Sequence, residues 1–191
     1  MGKFVTRSLT HEQYEKLVKT IRIGYEYNGV KHRPNDQIAT ILVLQANLGC
    51  RIGDIMALTT ESIIDDGGIW KLNIYEQKTG KKRSFIVAKE VKAKIDDHCR
   101  IYGIKEGRLF DIEAHAVRKQ LRAAAAYLEY KDCSTHSLRK MAAQTIYENT
   151  GHDIEAVCEY LNHSSINTSR VYIRRTDEQL EKAIMSAVCI V

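Results

Sequence analysis

The sequence predicts a mainly α domain with a small antiparallel β-sheet, an α+β fold class. Two observations predict it. Apolar residues recur at helical spacing through most of the 191 residues, and between residues 69 and 88 the period falls to two around a glycine-containing turn. Hydrophobic residues make up 44% of the chain and charged residues 28%, with a single proline, so one compact core is affordable and disorder is disfavoured.

Taken in order, Ser8 or Thr10 can cap a first helix through Glu12, Gln13, Tyr14, Leu17 and Val18, the hydroxyl accepting a backbone N–H that the first turn leaves unpaired. A polar loop, GVKHRPND, follows. Ile38, Ile41, Leu42, Leu44 and Gln45 predict a second helix with a wide apolar face. In LGCRIGDIMALT, Ile52, Ile55, Met56 and Leu58 keep helical spacing after a glycine. Arg51 is therefore expected at a helix start, away from the apolar side, with Asp54 one turn later on Arg51's side. Trp70, Leu72 and Ile74 alternate with polar partners, as do Phe85 and Val87 beyond QKTGKK, which predicts a hairpin with Lys78 at its turn. Helical patterns return from Glu90 to Cys99 and from Ala114 to Tyr127, where alanines 123 to 126 allow close packing.

Ser134 or Thr135 can cap a helix over THSLRKMAAQTIYE, with Leu138, Met141, Ala142, Thr145 and Ile146 on one face. There His136 and Arg139 stand at i and i+3, side by side on one surface. DIEAVCEYL predicts a short helix before NHSS, and a further helix is expected to carry Val171 and Tyr172. The last segment, EQLEKAIMSAVCIV, is amphipathic through Leu180, Ile184, Ala187 and Val188.

Composition narrows the function classes. Lys and Arg number 29 against 24 Asp and Glu, a net charge of +5 that mildly favours a polyanionic partner. The five cysteines are scattered without a C-x-x-C pair, which suits reduced thiols in a cytosol. No apolar run reaches the about 18 residues of a membrane span, and the opening residues lack a signal-peptide core, so no membrane partner is expected. The match of Gly2 to a myristoylation signal is only formal. His115 and His152 read as ordinary surface residues, and their spacing to Cys, Asp or Glu suggests no metal site.

Singly, none of the polar residues is informative, but their order is. The chain offers LGCRIGDIMAL, QKTGKK on a hairpin, HSLRK on a helix, LNHSS, and then SRVYIR, whose Tyr172 lies nine residues after His163. This series resembles the catalytic domain of the tyrosine recombinases, the family of phage and transposon integrases and chromosome-dimer resolvases. The resemblance covers nearly the whole chain, from SLTHEQYEKLV to Tyr172. It implies that Arg51, Lys78, His136, Arg139, His163 and Tyr172 form the catalytic set, with Asp54 holding the local site and Tyr172 as nucleophile. Asn162 departs from the pattern, because relatives commonly have glycine before that histidine. No cofactor and no metal are expected.

The chemistry fits these residue types. Two guanidinium forks can grip the nonbridging oxygens of a phosphodiester as negative charge gathers on them, so Arg51 and Arg139 would supply what a metal otherwise brings. A phosphotyrosyl bond conserves the energy of the broken linkage, so a strand can be resealed without ATP. His136 would accept the phenolic proton, Lys78 would protonate the leaving 5′ oxygen, and His163 would hydrogen-bond the phosphate or the leaving group. The resemblance implies double-stranded DNA as partner, a homo-oligomer assembled on it, accessory DNA-bending proteins, and a cytoplasmic, nucleoid-associated location in a bacterial or phage-infected cell. Residues 1–175 are expected to form the catalytic domain and residues 176–191 a C-terminal helical tail, either packed in cis or exchanged between subunits. The N-terminal clamp domain that such recombinases usually carry is not expected within this stretch, which reads as an excised fragment in preference to a minimal form that relies on partners. Two competing readings are a type IB topoisomerase, which relaxes DNA alone, and a non-catalytic DNA-binding regulatory module.

Overall fold

The computed structural model describes residues 6–173, so the amphipathic EQLEKAIMSAVCIV segment and Gly2 lie outside the described residues. Helix α1 (His11–Ile23) begins at Thr10, whose hydroxyl accepts the Gln13 N–H while the Gln13 side chain accepts the Thr10 N–H. Helix α2 (Asp36–Leu48) is capped by Asn35 and stops at Gly49, which takes the left-handed conformation at φ 57°. Its apolar positions are buried on nearly every side, because α1, α6 and other helices pack around it. The short α3 (Ile52–Met56) follows with Arg51 at its N-cap, as the spacing predicts.

The predicted hairpin is real and larger than expected. Strands β4 (Ile69–Tyr75) and β5 (Lys82–Ile86) pair across residues 76–81, and β3 (Ile63–Asp66) adds an antiparallel edge strand in the order β3-β4-β5. Leu72, fully buried, faces Ile63 on one side and Phe85 on the other, which anchors the sheet to the core. A second hairpin, β1 (Tyr25–Tyr27) and β2 (Val30–His32), replaces part of the expected polar loop. The signal for it is Asn28-Gly29, both at positive φ, which is the two-residue turn that antiparallel strands favour.

Helices α4 (Lys89–Tyr102), α5 (Ala114–Tyr127), α6 (Thr135–Asn149), α7 (Ile154–Tyr160) and α8 (Ile166–Arg170) complete the described chain. The mainly α fold with small antiparallel sheets therefore matches the sequence reading. One boundary does not. Helix α8 ends at Arg170 with Val171 as its C-cap, so Tyr172 sits in the turn beyond the helix rather than within it. Among the described residues, no helix is long and apolar enough to cross a membrane.

Two apolar clusters position the site. The main core gathers α1 to α5 and the sheet with the first half of α6, including Leu17, Ile41, Leu58, Leu72, Leu121 and Leu138. A smaller cluster of Ala143, Val157 and Leu161, with Tyr172 packed against it, joins the second half of α6 to α7 and the segment beyond α8. Arg139 lies on α6 between the two.

Candidate active site

Helix α6 starts where Ser134 accepts the His136 N–H, and this cap puts His136 at the surface and Arg139 one turn further in. The two were expected side by side on one surface. Instead Arg139 is fully buried, because its guanidinium turns inward onto helix ends. Nη1 donates to the Gly49 carbonyl at 2.6 Å and Nη2 to the Leu161 carbonyl at 2.8 Å. These carbonyls end α2 and α7, where unpaired C=O groups and the negative end of the helix dipole favour a cation.

Arg83, on β5, is anchored in the same way. Its Nη2 donates to Leu48 O at 2.8 Å and to Tyr160 O at 2.6 Å, which ties the sheet to both helix ends. Between Arg83 and Arg51 lies Glu76, whose Oε2 accepts Arg51 Nη1 at 2.6 Å and whose Oε1 meets Arg83 Nη1 at 3.5 Å. Burial opposes its ionisation, yet hydrogen bonds from Thr79 and Arg51 and the charges of Arg51 and Arg83 outweigh that and hold the carboxyl below its usual range. Glu76 is the carboxylate ion-paired with Arg51 and Arg83 among the described residues, and Arg139 adds a third guanidinium whose pKa is lowered by burial first and then by the charges of Arg83 and Arg51. The excess is positive, which suits an anionic group.

His163 faces Arg139 Nη2 through Nε2 at 3.2 Å and Ser169 Oγ through Nδ1 at 3.0 Å. Since arginine can only donate, Nε2 accepts, and the neutral ring carries its proton on Nδ1 toward Ser169. Burial, reinforced by the charges of Arg139 and Arg51, pushes the His163 pKa down to about 4, so the ring is neutral near pH 7. The Tyr172 ring lies 5.1 Å from the His163 ring and 5.9 Å from the Arg139 guanidinium carbon. Asn162 sits at φ 54° and donates to Lys82 O at 3.2 Å. The backbone there is left-handed, a conformation that glycine adopts freely and that asparagine tolerates better than most residues.

Of the six expected residues, Arg139, His163 and Tyr172 are in mutual contact, and Arg51 joins them electrostatically as one of the charges that lower His163. His136 is held below its usual pKa first by desolvation, then by Arg139, Arg51, Lys140 and Arg118. It borders a groove lined by Ile52, Arg118, Arg122, Ser134 and Thr135. Lys78 is exposed on the β4–β5 turn, and the structure brings it into contact with none of the other five. Asp54 lies buried and accepts the Gln77 N–H at 2.9 Å, which fixes the start of that turn to α3. No group of His, Cys, Asp and Glu able to hold a metal occurs among the described residues. Sequence reasoning missed Glu76, Arg83 and Ser169, although Glu76 directly precedes QKTGKK and Ser169 belongs to SRVYIR.

A helical domain that sets a tyrosine and a histidine against a buried guanidinium, with surplus cationic charge around them, has the makings of a phosphoryl-transfer centre. The chain belongs to the phage integrase family, whose model matches residues 7–179. It is 25% identical over 190 residues to the tyrosine recombinase XerC of Caldanaerobacter subterraneus, covering 92% of this chain and 49% of that protein. The fold is also that of the XerH site-specific recombinase bound to palindromic difH substrate in a post-cleavage complex, with a TM-score of 0.75 at 20% identity over 96% of this chain and 53% of that one. The catalytic domain of bacteriophage HP1 integrase matches over 95% of both chains, with a TM-score of 0.65 at 20% identity. The chain thus spans about half the length of XerC, as the 49% coverage states.

Proposed function

We propose that this chain is the strand-transfer domain of a site-specific DNA recombinase, cleaving and rejoining double-stranded DNA through Tyr172. The observation that carries the reading is the contact of Arg139 with both His163 and Tyr172. The Tyr172 oxygen attacks the scissile phosphorus, the bond to the 5′ oxygen breaks, and a 3′-phosphotyrosyl link with a free 5′-hydroxyl results. His136, kept neutral, takes the phenolic proton, and Lys78 on its turn delivers one to the departing oxygen. Arg51 and Arg139 neutralise the nonbridging oxygens. Arg139 Nε is buried without a hydrogen-bond partner among the described residues, a donor available to an incoming acceptor. The Tyr172 ring packs 5.9 Å from the Arg139 guanidinium carbon, which sets the nucleophile beside the group that would grip the phosphate. The reading extends to a homo-oligomer on DNA, helped by accessory DNA-bending proteins, with residues 1–175 as the catalytic unit.

The test is a nicked suicide duplex from which the cleaved strand diffuses away, resolved by denaturing electrophoresis in EDTA. A covalent protein–DNA band that Tyr172→Phe abolishes is the expected result. If the chain gives no such band with any duplex, in EDTA or with Mg²⁺, the strand-transfer reading falls and a non-catalytic DNA-binding module takes its place. Relaxation of supercoiled DNA without any preferred site would instead favour a topoisomerase.

A further inference from the structure

We infer that Glu76 is a positioning residue that sets Arg51 and the Lys78 turn as one unit, an inference that rests on the strand-transfer reading. Glu76 follows the last residue of β4, where the chain enters an otherwise exposed turn, yet its side chain is 0% exposed. Its Oε2 accepts both Arg51 Nη1 at 2.6 Å and Thr79 Oγ1 at 2.7 Å. Thr79 is the residue after Lys78. The backbone closes the same turn, since the Glu76 N–H donates to Lys81 O at 2.9 Å and the Gly80 N–H to Glu76 O at 2.8 Å. A single carboxylate oxygen therefore fixes the first arginine of the site and the loop that carries its lysine.

A purely architectural role would make Glu76 the counter-ion of Arg83. The distances argue otherwise. Arg83 already donates to the carbonyls of Leu48, Gly49 and Tyr160, and its approach to Glu76 is the longer one at 3.5 Å. The two short bonds go to Arg51 and Thr79. Arg51 keeps 23% of its side chain exposed, so it is the guanidinium held at the edge of the site rather than inside it. A long side chain released from such an anchor samples several rotamers, and a clamp that is loose by an ångström costs rate far more than affinity. Affinity for duplex comes from many phosphate contacts, which Glu76 does not make.

The test follows single-turnover cleavage of the nicked suicide duplex by the full chain at saturating DNA. Glu76→Gln should slow covalent-complex formation by about tenfold or more, with duplex affinity within about twofold of the parent. Placed on Arg51→Lys, Glu76→Gln should add no further loss, because a residue acting through Arg51 has nothing left to position. A Glu76→Gln rate equal to the parent's overturns the inference, and so does a double variant whose loss is the product of the two single losses. If Glu76→Gln fails to fold, Thr79→Ala decides, because it removes the turn contact without burying an unpaired charge; slowed cleavage supports the inference and an unchanged rate overturns it. A parent chain that forms no covalent product removes the strand-transfer reading itself, whereas a reactive parent with an equally reactive Glu76→Gln removes this inference alone.

Discussion

His163 illustrates how one side chain can be tuned by its surroundings. Folding lowers its pKa from 6.5 to about 4, by burial first and then by Arg139 and Arg51. Between these values the unfolded chain binds a proton that the folded chain does not, so stability rises with pH across that window. The contribution is complete above pH 6.5 and is lost as pH falls toward 4. A shift of this size corresponds to about 2 kcal/mol once partial solvent screening is allowed for. Urea unfolding of the parent and of His163→Gln at a series of pH values should give curves that converge as pH drops from 6.5 to 4. Parallel curves through that window would show that the ring is not held neutral. The same shift keeps Nε2 free to accept from Arg139 near pH 7, so the stability term and the orientation of the buried guanidinium have one origin.

At the scale of elements, the site is built from ends rather than faces. The carbonyls that close α2 and α7 hold Arg83 and Arg139, and Gly49 is where this becomes tightest. It sits at φ 57°, and a Cβ there would lie 2.6 Å from the Tyr160 ring. Gly49→Ala therefore combines a strained backbone with a collision, and should destabilise the chain by about 2–3 kcal/mol, read as a lower urea midpoint. An unchanged midpoint would mean that Tyr160 is free to move and that the α2–α7 junction is loose. None of this junction was legible in the sequence, because it joins residues far apart in the chain and no local pattern marks a carbonyl as a cation's partner. The helices were legible, since caps and periodicity act within a few residues: Thr10 and Ser134 cap as expected, and α5 spans Ala114–Tyr127 as its pattern predicts. Glu76 and Arg83 escaped for the opposite reason. A charged residue beside a turn or on a short strand looks solvated until its partners close on it, as Arg51 and Thr79 do on Glu76 and as Tyr160 and the end of α2 do on Arg83.

At the scale of the whole molecule, the net charge of +5 is modest, so its placement matters more than its size. Helix α5 exposes Arg118, Lys119 and Arg122, and two of these, Arg118 and Arg122, line the groove that ends at His136. They place further cationic charge at the surface, on the groove that His136 also lines. Each phosphate neutralised by such a residue releases condensed counterions and adds about 0.9 to the slope of log affinity against log salt. Replacing Arg118 and Arg122 together by alanine should therefore weaken duplex binding at low salt for any sequence and flatten that slope by about 2. Fluorescence anisotropy across a salt series measures both quantities. An unchanged slope would mean that this groove does not face the DNA, and the next residues to replace would be Lys78 and Lys81 on the β4–β5 turn with Lys82 at the start of β5, all three exposed.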